Sequence, residues 1–393
     1  MPMRLGVIGG RLQGTEAAYL GGLAGYDVVL VDRCEGTPAS GLASETHVLD
    51  IRANEARTRT LLASCDAVLP AFEDLDALRW LDGRLRRWGV PFVFDLAAYE
   101  VTCSKLRSDL LFAELDVPRP SPWPGCGLPV VVKPSGASGS DGVAVAGTYT
   151  ELTAARARLE EQGHEVVVQE HVLGPSLSLE VVAAGGRVQV LQTTSLEFDL
   201  GHDCKRVVAP GECDGRTAAL LEEAGERIAA TLGLRGLMDV EAMVADGVPK
   251  IIEVDARLPS QTPSAVYHSC DLNLLSLLVD TVLLGSPPAV DRRARRAAVY
   301  QHVAVSDGVL EVVGEHALAH ARPLTRTPGF FGAHDALTDF RPGASHWTAT
   351  IITTGSDACS ARAGGDEVIA RMVDDLGLAL APDLSPRWTE VAS

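Results

Sequence analysis

Two neighbouring stretches constrain this chain more than any other part of it. Residues 236–244 read GLMDVEAMV and residues 250–258 read KIIEVDARL. Each is an apolar strand pattern, and Asp246-Gly247 between them is a hairpin turn signal. Alternation puts Asp239 and Glu241 on one face of the first strand. It puts Glu253, Asp255 and Arg257 on one face of the second. Four carboxylates on adjacent strands repel one another if left unpaired. The apolar flanks argue that the pair is buried rather than a solvated surface hairpin. A buried site with that charge wants a cation, and hard carboxylate oxygens suit magnesium, often shared with nucleotide phosphates. Arg257 can neutralise a phosphate or a developing oxyanion.

Upstream, a strand pattern at 130–133 (VVVK) ends in Lys133-Pro134 and runs straight into SGASGSDG at 135–142. Three glycines among small and hydroxyl residues expose backbone N–H groups that can wrap phosphate oxygens, and Lys133 adds a point charge. The order differs from a P-loop, because Lys precedes the loop. A plain surface loop is the competing reading. Gln169-Glu170-His171-Val172 follows at the end of another apolar strand, before Gly174. Its backbone groups could hold an adenine edge. Ser178 and Glu180 share a face of the next strand, which is otherwise an ordinary edge strand.

The N-terminal part has a different pattern. Short apolar strands at 4–8, 27–31, 66–70 and 92–94 alternate with helical stretches, which predicts a parallel sheet covered on both faces over residues 1–95. The first strand leads into a glycine turn, Gly9-Gly10-Arg11-Leu12-Gln13-Gly14, and Asp32 lies 18 residues after Gly14. That spacing invites a dinucleotide reading, but G-x-G-x-x-G is absent. The turn serves NAD, another ligand, or none. A Pro-rich stretch at 117–129 ends a helix over 104–115. Beyond it, strands at 143–146, 165–171, 177–184 and 187–195 and helices at 150–162 and 216–232 describe an α+β region. Further short strands and a final helix near 365–376 follow residue 295.

Length and charge narrow the function classes. A chain of 393 residues is expected to hold two or three domains. A net charge of −18 argues against nucleic-acid binding. The eight Cys show neither C-x-x-C nor zinc-finger spacing, so they read as reduced thiols. No apolar run approaches the ~20 residues that span a bilayer, and the N-terminus does not read as a signal peptide. The expectation is a cytoplasmic protein with no membrane partner.

Taken in order, a strand lysine with a phosphate loop, an acidic strand end and an E…E-x-D-x-R strand pair resemble the ATP-grasp superfamily of carboxylate–amine ligases. Within it, GGRLQGTEAAYL (9–20), VVLVDR (28–33), SLEVV (178–182), MDVEA (238–242) and EVDARLPSQTPSAVYHS (253–269) are similar to the pyrrolysine-pathway ligases, which join 3-methylornithine to the side-chain amine of lysine. The resemblance runs from residue 4 to about 280. It implies a Rossmann-like domain at 1–95, two ATP-grasp lobes at 96–295, and a region at 296–393 completing the lobe. It implies an ADP-forming acid–amino-acid ligase acting on two amino acids, with ATP and two magnesium ions, in an enzyme type that is often a homodimer. By the same resemblance, Lys105, Lys133, Ser135 and Ser138 touch ATP phosphates, and Glu170 and Val172 hold adenine. Glu241, Glu253 and Asp255 bind metal, and Arg257 with Lys133 steadies phosphoryl transfer. Ser178, Leu179, Glu180 and Asp239 hold the activated amino acid. Leu12, Gln13 and Glu73 hold the amine, with Arg11 and Asp32 nearby, assigned to ATP.

One departure bears on substrate. Glu197 stands where the pyrrolysine-pathway ligases have His, and Lys205-Arg206 has no counterpart there. Two extra cations suit an extra carboxylate. This favours an acidic donor, such as glutamate activated at its side chain, and a γ-glutamyl dipeptide product in specialised metabolism. The alternative is the methylornithine–lysine pair itself. An NAD-linked oxidoreductase would use the glycine turn but leaves the acidic strand pair unexplained, and a nucleotide-binding regulator would bind ATP without turnover.

Overall fold

The computed structural model describes residues 2–385 apart from 138 and 140. The first sheet holds β1 (Arg4–Ile8), β2 (Asp27–Asp32), β3 (Glu45–Val48) and β4 (Ala67–Pro70), all parallel, in the order β3-β2-β1-β4. Strand alternation divides its side chains. Leu5, Val7, Val28 and Leu30 pack with Ala17 and Leu20 of helix Leu12–Leu23. Ile8, Val29, Val31 and Val68 pack with Leu81 and Leu85 of helix Leu75–Trp88. Burial on both faces is why these strands read as continuous apolar runs. The expected strand at 92–94 is reduced to one bridge, Val68 with Phe92.

The second sheet is small and antiparallel. Its strands β5 (Val130–Pro134), β6 (Ala144–Ala146) and β7 (Val166–Glu170) lie in the order β6-β5-β7. Helix Tyr149–Glu161 seals it through Leu152 and Leu159.

The third sheet has eleven strands. Five come from the middle of the chain: β8 (Ser176–Ala184), β9 (Arg187–Phe198), β10 (Cys204–Ala209), β11 (Gly236–Ala245) and β12 (Val248–Asp255). Six come from the region after 295: β13 (Ala297–Ser306), β14 (Val309–Val312), β15 (Thr325–Arg326), β16 (Asp335–Thr338), β17 (His346–Gly355) and β18 (Ala379–Leu380). The main order is β12-β11-β8-β9-β10-β13-β17-β16-β15, with β14 pairing β13 and β18. The residues after 295 therefore extend the same sheet that carries the carboxylates. Asp246 (φ 51°) and Gly247 (φ 75°) make the β11–β12 turn, with the two positive φ angles of a tight hairpin.

One apolar core runs from the first sheet into the third. Helix Leu12–Leu23 packs against helices Thr262–Cys270 and Leu274–Leu284, which back the large sheet. Buried polar contacts pin this joint. The Tyr19 hydroxyl lies 2.7 Å from His268 Nε2 and donates to Asp335 at 2.8 Å. The Ser264 N–H donates to Glu16 at 2.7 Å. All eight cysteines are free thiols. Among the described residues, no helix is long and apolar enough to cross a membrane.

Candidate active site

Register assembles the acidic face. Asp239 lies opposite Asp255 across β11–β12, and Glu241 opposite Glu253. On the other side of β11, Asp239 faces Glu180 and Glu241 faces Ser178. Directly opposed residues point to the same side of a sheet. Ser178, Glu180, Asp239, Glu241, Glu253 and Asp255 therefore form two rows of three on one face of β8-β11-β12. The alternate residues Val240, Val254 and Leu179 turn to the other face, into the core under helix Gly215–Leu232. The Leu179 side chain packs in that core, on the face opposite to the one that carries Ser178 and Glu180, so it is turned away from the carboxylates.

Burial and mutual repulsion shape the charge here. Burial, then the charges of Asp239 and Glu253, pushes the Glu241 carboxyl well above its usual range. Burial pushes Asp255 to about 7 against the pull of Arg257, and Asp239 to about 6 against its hydrogen bond from Ser178. Glu253 differs: burial would raise it, but Lys105 and Lys133 outweigh burial and hold it low. Lys105 Nζ lies 2.5 Å from Glu253 and 2.5 Å from the Ala137 carbonyl. Lys133 Nζ donates to the Ile252 carbonyl at 3.1 Å, and burial lowers its pKa.

Among the described residues no three side chains converge closely enough to grip a metal alone. Magnesium usually takes one or two carboxylates plus substrate phosphates rather than an all-protein cage. Glu241, Glu253 and Asp255 are hard oxygen donors that line one cavity together, and a cation would relieve their repulsion. The donor set fits.

Glu180 is the other unusual group. It is completely buried, and neither of its oxygens has a well-formed hydrogen bond among the described residues. Burial, then the charge of Asp239, pushes it to about 8. A buried acid without partners is costly unless a ligand completes it.

A slot lies between the second and third sheets. Val131, Val143 and Val145 wall one side, and Met243, Ile252 and Phe198 the other. Lys105, Lys133 and Glu253 line its polar end, and Gln169, Glu170, His171 and Val172 its rim. The Glu170 carboxylate is already engaged by Lys250 (2.5 Å) and the Ser121 N–H (2.9 Å), and its backbone N–H donates to the Ser121 carbonyl at 2.9 Å. The Ser135 hydroxyl lies 3.1 Å from that of Ser104 and accepts the Leu106 N–H at 3.2 Å, so it anchors helix Lys105–Glu114. Ser138 lies outside the described residues.

A second cleft, about 490 Å³, opens on the first sheet and is lined by Arg11, Leu12, Gln13, Asp32 and Glu73. Both Asp32 oxygens accept backbone N–H groups, from Gly10 and Cys34 at 2.7 Å each. Asp32 thus braces the glycine turn, where a dinucleotide site would offer it to a ribose. Gln13 donates to Glu73 at 2.8 Å. Arg257 joins cleft and carboxylates, 3.1 Å from Glu73 and 2.9 Å from Asp255.

Lys205 and Arg206 do not join this site. Arg206 binds Glu197 and Gln301 and lies 2.8 Å from Asp383. Glu197 is shared with Arg362 of helix Ala358–Leu376. Val208, two residues on, packs with Ala361 of that helix, so Arg206 lies on the sheet face away from the carboxylates. Lys205 is fully buried and binds Asp383 and the Leu384 carbonyl (2.8 Å). The bulge between Cys204 and Arg206 breaks the alternation that sequence reading relies on. Sequence reading also missed Ser260, Gln261, Thr262, Asp203 and Glu315, which line the cavity beside the carboxylates. The first three stand inside the quoted 253–269 segment, which is where a signal for them lay. Asp203 and Glu315 gave none.

A family model described as an ATP-grasp domain matches residues 104–261. The chain is 33% identical over 315 residues to the 3-methyl-D-ornithine–L-lysine ligase of Methanosarcina acetivorans, covering 80% of this chain and 83% of that protein. A solved L-amino acid ligase from Bacillus licheniformis superposes with a TM-score of 0.67 at 17% identity, over 94% of this chain and 98% of that one. A solved biotin carboxylase from Campylobacter jejuni gives 0.73 at 14% identity, over 94% and 91%. These two show the fold.

Proposed function

The chain belongs to the ATP-grasp ligases, in the family of the 3-methyl-D-ornithine–L-lysine ligases, and on that premise we propose that it joins a diamino-acid donor to the amine of a second amino acid. It is an ATP-dependent, ADP-forming carboxylate–amine ligase, and the dinucleotide reading of its glycine turn falls away.

The donor carboxylate attacks the γ-phosphate and becomes an acyl phosphate, as the bond from the γ-phosphorus to the bridging oxygen breaks and ADP leaves. Lys105 and Lys133 line the slot, where they would offset phosphate charge, and Arg257 lines the cavity beside the carboxylates, where it would steady the charge of the transfer. Two magnesium ions, held by Glu241, Glu253 and Asp255, would supply further charge neutralisation when bound. Glu170 and Val172 present backbone groups to adenine, and Ser178, Glu180 and Asp239 hold the donor. Leu12, Gln13 and Glu73 receive the acceptor in the second cleft.

The observation that carries the donor class is Glu180, completely buried beside Asp239, with only Thr262 and its own backbone near its oxygens and no cation paired with it among the described residues. Two adjacent acids ask for an ammonium group. The acidic-donor reading rested on Lys205 and Arg206, and both are neutralised elsewhere by Glu197 and Asp383. The relative's substrates, 3-methyl-D-ornithine and L-lysine, fit the remaining charge pattern.

The test is phosphate release from Mg-ATP with amino acids singly and in pairs, with products read by mass. Release that needs a diamino acid and a second amine, with an adduct one water lighter than their sum, is expected. Release with glutamate and none with ornithine-type donors overturns the donor assignment but keeps the ligase. Nucleotide binding with no release from any pair overturns the proposed reaction.

A further inference from the structure

Amide formation leaves a proton to be placed. The acceptor nitrogen bonds to the acyl carbon, the C–O bond to phosphate breaks, and phosphate leaves with that electron pair. The nitrogen then carries one proton too many. The carboxylates nearest the carbon are committed to metal, donor ammonium and Arg257. Resting on the ligase reading above, we propose that His316, oriented by Asp203, is the general base that takes this proton.

The ring sits where that role requires. His316 lines the acceptor cleft together with Leu12 and Gln13. Its two contacts, Asp203 and Gly139, line the carboxylate cavity. The imidazole therefore stands at the passage between the incoming amine and the acyl carbon.

The pair is built to close tolerances. His316 Nδ1 lies 2.9 Å from Asp203 Oδ1, and the His316 backbone N–H donates to Asp203 Oδ2 at 3.0 Å. Asp203 is fixed in turn by its own loop: its N–H donates to Asp199 at 3.0 Å, and the Asp199 N–H donates to its carbonyl at 2.9 Å. A carboxylate on the Nδ1 proton leaves the lone pair on Nε2, the arrangement of a general base. Two glycines admit this geometry. A Cβ on Gly314 would lie 2.0 Å from Asp203 Oδ2, and a Cβ on Gly139, at φ +61°, would lie 2.8 Å from His316 Nε2. Nε2 therefore abuts the phosphate loop itself. Glu315, the adjacent acid, already accepts the Ser260 hydroxyl at 2.7 Å. Asp203 is a positioning residue, and His316 is the catalytic one.

The competing account is that the pair only ties the short helix His316–Ala319 to the 199–204 loop. Partial reactions separate the two. Hydroxylamine, an amine already unprotonated at neutral pH, traps the activated donor as a hydroxamate without help from a base. For His316→Ala we expect hydroxamate formation within about twofold of wild type, amide formation lowered about 10²- to 10³-fold, and recovery with added imidazole. His316→Asn keeps an N–H for Asp203, so a structural tie would leave it active, whereas a base role predicts the same loss. Amide formation within threefold of wild type in both variants, equal loss of hydroxamate and amide, or no response to imidazole would overturn the proposal. Absence of donor-dependent hydroxamate from the wild-type enzyme would instead overturn the ligase reading beneath it.

Discussion

Arg257 and Glu73 lie 3.1 Å apart and join the carboxylate cluster on the large sheet to the cleft on the first. The same guanidinium nitrogen reaches Asp255 at 2.9 Å, so one cation touches both the carboxylate cluster and the cleft. Arg257→Lys keeps the charge and loses the planar fork. The expected loss in turnover is about 10²- to 10³-fold, the usual cost of removing an oxyanion donor. Nucleotide affinity by calorimetry should change little, because Arg257 does not line the slot. Equal losses in turnover and nucleotide binding would place Arg257 with ATP instead.

Glu16 makes stability depend on pH. It is 1% exposed, and burial raises it to about 7 against its hydrogen bond from Ser264. The unfolded chain releases this proton near the ordinary carboxylate value of 4.5. Between these values the folded state binds more protons than the unfolded one, so stability falls as pH rises from about 4.5 to about 7. The full effect is on the order of 3 kcal/mol. Glu16→Gln keeps an acceptor for the Ser264 N–H and has no proton to lose. Its melting temperature should exceed that of wild type at pH 8.5 and match it near pH 5. A constant offset across that range would remove Glu16 as the cause.

The acidic site was legible because two physical rules coincide there. Strand alternation grouped Asp239 with Glu241 and Glu253 with Asp255, and the apolar flanks marked the strands as buried; the register that sets the two pairs opposite each other came only with the fold. The parallel sheet was legible for the same reason, from apolar runs punctuated by helices. Lys205 and Arg206 were misread because a bulge turns them away, and bulges have no reliable sequence sign. Leu179 lies within a polar run but alternates inward. Asp203 and His316 stand 113 residues apart, and only the fold makes them neighbours. The tenants of a long-range contact leave no periodicity to read.

Glu241 should show activity and stability moving in opposite directions. Like-charged neighbours Asp239, Glu253 and Asp255 all push against its ionisation. Burial and these charges make the folded protein hold a proton on Glu241 that the unfolded chain releases; Glu241→Gln has no proton to hold, so near neutral pH the metal-free protein should melt at a higher temperature, by a few degrees for about 1 kcal/mol. The same change removes a candidate magnesium ligand, so turnover should fall at least 10²-fold. Added Mg-ATP should stabilise wild type far more than the variant. Thermal melts with and without Mg-ATP, beside a phosphate-release assay, read all three. A variant that is both less stable and fully active would show that Glu241 is structural.

Arg206 decides between the two donor classes. If it serves only the charge cluster with Glu197 and Asp383, Arg206→Gln should lower stability by about 1–3 kcal/mol, because those acids lose a half-buried partner. Arg362 and Lys205 still hold one acid each, which keeps the loss moderate. Donor KM should stay within about twofold of wild type, since the guanidinium lies on the sheet face away from Asp239 and Glu180. Chemical denaturation and a donor titration read the two effects separately. A tenfold rise in donor KM at unchanged stability would mean that Arg206 reaches the substrate. The donor would then carry an extra carboxylate, and glutamate would replace the diamino acid as the expected partner of Glu180.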